Sequence, residues 1–228
     1  MSRRPTTAVL LFSRSVAAEA RSKQWTGVQR TDERLAATLL RHARRAVRRA
    51  GLPLLYIDER RQRGHHFGEK LANALEAGYA RGYERILVIG NDCPNLTAAS
   101  LRRAARLLER HRVVIGPAAD GGLYLLGLHR SAYRRPVMLD LDWQTDQLAW
   151  QFTQQLARLD LSAATLSVRT DVDALEDLDR LTLLPSTTSL VSALRQLIQR
   201  KAISALVRKS TVTQLKPANQ LRGPPAMV

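Results

Sequence analysis

A chain of 228 residues with 45% hydrophobic and 25% charged residues has the composition of one folded α/β domain, or of one domain with an appendage, and lies outside the range of disordered chains. Its net charge of +16 reflects either an anionic partner, whether a nucleic acid, a phosphate-bearing ligand or a membrane surface, or an arginine-biased composition, since the arginines are scattered through every segment. Aromatics at 5% leave few platforms for stacking bases, and Cys93, the single cysteine, excludes an intramolecular disulfide and a Cys-x-x-Cys metal site.

The first predicted element is the apolar run Ala8 to Phe12, of strand length and too short for the core of a signal peptide. Leu35, Leu39, Leu40, Ala43 and Val47 then repeat at helical spacing. Leu54 to Ile57 reads as a second strand, followed by helical spacing at Leu71, Ala74, Leu75 and Tyr79. Ile86 to Ile89 and Val113 to Ile115 are further buried strands, with Leu101, Ala104, Ala105 and Leu108 marking the helix between them. Strand and helix alternate four times, which predicts an α/β fold: a Rossmann-like, mostly parallel sheet sandwiched by helices.

Beyond Ile115 the pattern changes. Asp120-Gly121-Gly122 predicts a turn feeding a strand from Leu123 to Leu128 that can enter the sheet antiparallel. Gln144 to Leu156 predicts a helix and Ala163 to Val168 a strand. Asp173 to Leu183 predicts a helix whose acidic amino end suits the helix dipole. The domain is expected to span residues 1–185. Residues 186–228 form a separate basic part, an amphipathic helix from Ser189 to Val207 and a loose tail, without a single Asp or Glu. This helix either docks on the domain or reaches an anionic surface through residues 189–209. No run approaches the roughly 18 apolar residues of a membrane span, and a soluble, cytoplasmic protein is expected.

In an open α/β sheet, ligands gather at the carboxyl ends of the strands. Asp92, in "VIGNDCPNLT" (Val88 to Thr97), stands at such an end. Thr97 is competent to cap the following helix, which leaves Asp92 free to hold a divalent cation that bridges phosphates. Asp120 with Gly121 and Gly122 is either a hairpin turn or a place where an anion meets exposed amides. Asp171 and Asp173 follow the last predicted strand and can face the same cleft. His65 and His66, adjacent in a polar loop, would point apart in an extended chain and are not expected to ligate a metal. Cys93 reads as a small buried apolar residue.

These stretches, in this order, resemble the bacterial DUF2064 family, nucleotide-diphospho-sugar transferase-like proteins of the glycosyltransferase A (GT-A) type. More distantly they are similar to phospholactate and molybdopterin guanylyltransferases. The resemblance rests on "FGEKLANAL" (Phe67 to Leu75), "VIGNDCPNLT", "IGPAADGGLYLLGL" (Ile115 to Leu128), Trp143-Gln144-Thr145 and "DVDALEDL" (Asp171 to Leu178). It implies a metal-dependent transferase with Mg²⁺ or Mn²⁺ as cofactor, which moves a glycosyl or nucleotidyl group from a nucleotide or nucleotide-sugar to an unidentified small-molecule acceptor. It also implies that Asp92 and Asp173 hold the metal, with Asp92 and Asp120 as the catalytic carboxylates and Gly121 and Gly122 on the acceptor side. The family's loop after the first strand usually carries proline and glycine and ends in Lys-Thr-Arg. Here "SRSVAAEARSKQW" (Ser13 to Trp25) has neither residue, so phosphates would fall to the side chains of Arg14, Arg21 and Lys23. Leu123 stands where the family usually has an aromatic ring. The rival reading is a non-catalytic GT-A-like protein that recruits an anionic partner through its basic surface. Nucleic acid is not the expected partner, since no helix-turn-helix, zinc or RNP pattern occurs.

Overall fold

The computed structural model describes residues 6–177, 180 and 190–197. Strands β1 (Thr7–Phe12), β2 (Leu54–Ile57), β3 (Arg85–Ile89), β4 (Val113–Pro117), β5 (Leu123–His129) and β6 (Ala163–Thr165) form one sheet in the order β2–β1–β3–β5–β4–β6. β1 pairs in parallel with β2 and β3, and β4 pairs in parallel with β6. β5 lies antiparallel between β3 and β4, as its hairpin turn predicts.

The apolar runs are continuous because both faces of the sheet are covered. Along β1, Ala8, Leu10 and Phe12 enter a core with α3 (Phe67–Ala80), α5 (Arg135–Asp140) and α6 (Leu148–Arg158). The alternate residues Val9 and Leu11 enter a second core with α2 (Gln29–Ala50) and α4 (Ala98–Arg110). Burying each such leucine fully is worth about 1.5–3 kcal/mol. A third cluster lies beside α2. Residues 190–197 are helical and seat Leu190 and Leu194 against Trp25, Leu35, Ala36, Leu39 and Val172. The described part of the basic carboxy-terminal helix therefore docks on the domain through its apolar side. The rest of Ser189 to Val207, the tail and Leu181 to Leu183 fall outside the described residues.

Several boundaries differ from the sequence reading. The segment after β1 is not a loop: α1 (Val16–Lys23) begins at Ser15, whose side chain accepts from the Ala18 N–H. The helix expected from Gln144 starts at Leu148, because Gln144 takes a left-handed φ of 66° inside a turn closed by Thr145 Oγ1 donating to Asp142 O at 2.7 Å. β6 stops at Thr165, after which Ala118 and Arg169 form an isolated bridge. Between 173 and 183, residues 175–177 and 180 are helical. Among the described residues, no helix is long and apolar enough to cross a membrane.

Candidate active site

The carboxyl ends of β1 and β3, the β4–β5 hairpin and the segment after β6 open onto one cleft of about 950 Å³. Its charge runs against that of the chain. Where the whole sequence has 36 Lys and Arg against 20 Asp and Glu, the cleft is lined by Glu19, Glu59, Asp92, Asp120, Asp146, Asp171 and Asp173 against Arg14, Lys23 and Lys70. Like charges this dense raise the cost of ionising each carboxyl unless a cation joins them.

Asp92 occupies the first turn after β3. Thr97 caps α4 with Ser100 in a reciprocal box, Oγ1 accepting from Ser100 N at 3.1 Å and Ser100 Oγ accepting from Thr97 N at 3.0 Å. The carboxylate of Asp92 is thereby left for the cleft. Gly90 makes room for it: a Cβ at position 90 would stand 2.6 Å from Asp92 Oδ1. The Asp92 backbone oxygen accepts from Val172 N at 2.9 Å, which ties β3 to the segment bearing Asp171 and Asp173. Burial raises the Asp92 pKa, Lys23 draws it back, and Asp173 and Asp120 push it further up. Burial, followed by Asp92, Asp120 and Asp173, pushes Asp171 up to about 8. Asp171 Oδ1 is buried and has no hydrogen-bond partner among the described residues.

α1 adds two side chains to this cluster. Glu19 and Lys23 are one turn apart and so share a face, and both line the cleft. Glu19 is 3.7 Å from Arg14 Nη1, and burial followed by the nearby Asp92 raises its pKa. Lys23 Nζ donates to Asp173 Oδ1. Burial works against the lysine's charge, but the bond to Asp173 and the fields of Asp173, Asp92 and Glu19 outweigh it and raise its pKa. Asp177 rather than Asp173 accepts from the N–H groups of Asp173 and Ala174, at 3.1 and 3.0 Å. The amino end of α1 is closed from outside by Glu59, whose carboxylate accepts from Ser15 Oγ at 2.6 Å and from the Ser15 N–H.

On the opposite side, the hairpin folds Asp120 onto itself: Gly122 N donates to Asp120 Oδ1 at 2.9 Å, and Oδ2 has no hydrogen bond among the described residues. Gly121 is required by contact as well as by its φ of 89°, since a Cβ there would lie 1.9 Å from Asp146 O. Phe12, Phe67 and Trp143 give the cleft an apolar wall, with ring centroids 5.5 and 5.3 Å apart along the series. Trp143 Nε1 is held by Met138 O at 2.7 Å.

The structure therefore brings Arg14, Lys23, Asp92, Asp120, Gly122 and Asp173 to one cleft. Arg21 is exposed on α1, two residues from both Glu19 and Lys23 and so on another face, and it is not among the residues lining the cleft. Gly121 packs behind the hairpin against Asp146. Glu19 and Glu59 escaped the sequence reading. The alanine-rich, glycine-free segment with Glu19 four residues before Lys23 was the available signal for the helix. Glu59 gave none, because its partner Ser15 is 44 residues away.

Among the described residues, no group of three or more His, Cys, Asp or Glu side chains is arranged to hold a metal ion. The donor set still suits a hard cation. Mg²⁺ is commonly held by one or two carboxylates while phosphates and water complete its shell, and Asp92 and Asp173 offer two, beside the unpartnered buried oxygen of Asp171.

Residues 12–145, which include β1, the Asp92 turn, the Asp120 hairpin and Trp143, match the family model DUF2064, "Uncharacterized protein conserved in bacteria". The chain belongs to the DUF2064 family. Among solved structures, this DUF2064 chain is similar to a provisionally named nucleotide-diphospho-sugar transferase from Desulfovibrio desulfuricans G20, at 22% identity over 86% of this chain and 98% of that one, with a TM-score of 0.75. That similarity shows that the two chains share a fold. Weaker matches are Rv0371c of Mycobacterium tuberculosis H37Rv in complex with manganese, at 18% identity over 77% and 97% of the two chains with a TM-score of 0.47, and a cytidylyltransferase from Leptospira borgpetersenii serovar Hardjo-bovis, at 12% identity over 95% and 100% with a TM-score of 0.49. The comparison with curated proteins gives no match.

Proposed function

We propose that this DUF2064 protein is a metal-dependent transferase that moves a glycosyl or nucleotidyl group from a nucleotide or nucleotide-sugar donor to a small acceptor. The observation that carries the reading is the gathering of carboxylates, two of them unusually hard to ionise, at the carboxyl ends of the strands in a strongly basic chain. Such a cluster is costly unless something positive completes it. Mg²⁺ or Mn²⁺ held by Asp92 and Asp173 would supply the stabilisation of charge developing on the phosphate leaving group.

The chain's own residues have separable tasks in this reading. Arg14 and Lys23 bind donor phosphates, and Lys23 must leave Asp173 to do so. Phe12, Phe67 and Trp143 exclude water from the apolar side. Asp120, fixed through Oδ1 by the Gly122 N–H, presents Oδ2 to take the proton of the attacking acceptor group as its new bond forms. Arg21 has no task in the cleft.

A second reading has one observation in its favour: the bond from Lys23 to Asp173 supplies an internal cation, as suits a binding protein that uses no metal. One experiment separates the two. Nucleoside di- and triphosphates and nucleotide-sugars are screened by thermal shift with and without Mn²⁺ or Mg²⁺, on the natural protein and on Asp92→Asn. The transferase reading expects a metal-dependent shift for one donor class that Asp92→Asn loses while its own melting temperature stays within a few degrees. A nucleotide shift that is indifferent to metal and to Asp92, or no shift at all, overturns it.

A further inference from the structure

Among the described residues, a strongly basic surface lies away from the cleft. α2 and α4 pack side by side on one face of the sheet, joined by Arg102 Nη1 donating to Arg49 O at 2.8 Å, while His42 Nε2 meets Leu96 O, in the loop before α4, at 2.9 Å. Their sequences hold seven and four arginines and no lysine, against the carboxylates Asp32, Glu33 and Glu109. These two helices thus carry half of the chain's net charge of +16. Asp32 does not offset the outer face, because it is buried and accepts from Thr26 N and Oγ1. All eleven arginines are exposed, and among the described residues none of them forms an ion pair. Left without counter-charges, such a face is a net electrostatic cost to the fold.

We propose that the α2–α4 face is a docking surface for an anionic lipid bilayer. Guanidinium groups match phosphate oxygens in a bidentate manner, as a carpet of phospholipid headgroups presents them. The shape is also that of a surface contact. α2, 22 residues long and so about 33 Å, is flanked by α1 and α4 and cannot sink into a nucleic-acid groove. Neither helix contains Phe, Tyr or Trp to stack on a base, and the His42 imidazole is turned onto Leu96 O. No large apolar side chain stands out from α2 or α4, so the contact is electrostatic, without insertion. The direction of the chain gives it a consequence. α2 leads into β2 and α4 into β4, so their carboxyl halves, with Arg44, Arg45, Arg48, Arg49, Arg106 and Arg110, lie toward the sheet edge opposite the cleft. A protein docked there keeps its cleft open to the water phase.

The test is co-sedimentation of the full chain with phosphatidylcholine vesicles, with and without phosphatidylglycerol, at low and at physiological salt. Binding that needs phosphatidylglycerol, weakens with salt, and falls by about tenfold or more in Arg45→Glu/Arg48→Glu/Arg106→Glu at an unchanged melting temperature supports the proposal. If that variant misfolds, the milder Arg34→Gln/Arg103→Gln/Arg110→Gln serves, and undiminished binding by it overturns the proposal. So does equal binding to neutral vesicles. Duplex RNA held more tightly than the vesicles at physiological salt would assign the face to nucleic acid instead. Loss of vesicle binding in Lys201→Glu/Arg208→Glu/Lys209→Glu, with none in the helix variants, would move the contact to the carboxy-terminal segment.

Discussion

A methyl at position 90 would meet only the end of the Asp92 side chain, 2.6 Å away, so the fold can yield there at small cost. Gly90→Ala is expected to melt within a few degrees of the natural protein and to lose most of the Mn²⁺-dependent nucleotide shift, as a thermal-shift titration would reveal. A full shift in that variant would show that the Asp92 position is not critical. Asp171 gives a pH dependence. Its pKa is raised to about 8 in the folded protein, against about 3.9 in an unfolded chain. Between those values the folded state holds a proton that the unfolded state has released, so this contribution to stability is full below pH 4 and is lost as pH rises through 8. Glu19 and Asp92, also raised, act in the same direction. Melting temperature should therefore fall from pH 5 to pH 8, Asp171→Asn should flatten the slope, and Mn²⁺ should stabilise more at pH 8 than at pH 5. A slope unaltered in Asp171→Asn would mean that Asp171 ionises normally.

At the scale of elements, what could be read in the sequence follows what is buried. β1 to β4 were legible because their runs are apolar on both faces, and α2, α3 and α4 because each lays an apolar stripe on the sheet. α1 has no such stripe: its buried residues are Glu19 and Ala20, since the side facing inward looks into a charged cleft. α5 was missed for a similar reason, six residues with Met138 alone buried. Of the site, the carboxylates at strand ends were legible from topology, whereas the placing of Arg21 required knowing that its segment is helical. The docked helix at 190–197 makes a prediction at this scale. Leu194 is fully buried between Trp25, Leu35 and Val172, and Leu194→Ala should cost about 2–4 kcal/mol of stability in chemical denaturation. A loss below about 1 kcal/mol would mean that this helix is not part of the core.

For the whole molecule, charge is sorted by place. The carboxylates concentrate where the strands end, and the arginines concentrate on the layer formed by α2 and α4. A basic protein can in this way keep an acidic chamber, whose local field is set by neighbours within a Debye length of about 8–10 Å rather than by the total charge. The strand order of the sheet also bears on how it can assemble. β4 makes no ladder with β3, because β5, which follows it in the chain, lies between them. The slot beside β3 is therefore expected to fill only when the β4–β5 hairpin enters as a unit, an entry that would carry Asp120 to Asp92. Local hairpins close within microseconds, while joining distant strands is slower. The cleft is therefore expected to form in the last cooperative step of folding, with no partly folded species able to bind nucleotide. Refolding followed in parallel by the fluorescence of Trp143, in a variant whose Trp25 and Trp150 are replaced by Phe, and by nucleotide capture should give one shared rate; capture ahead of the fluorescence change would place the cleft before the sheet.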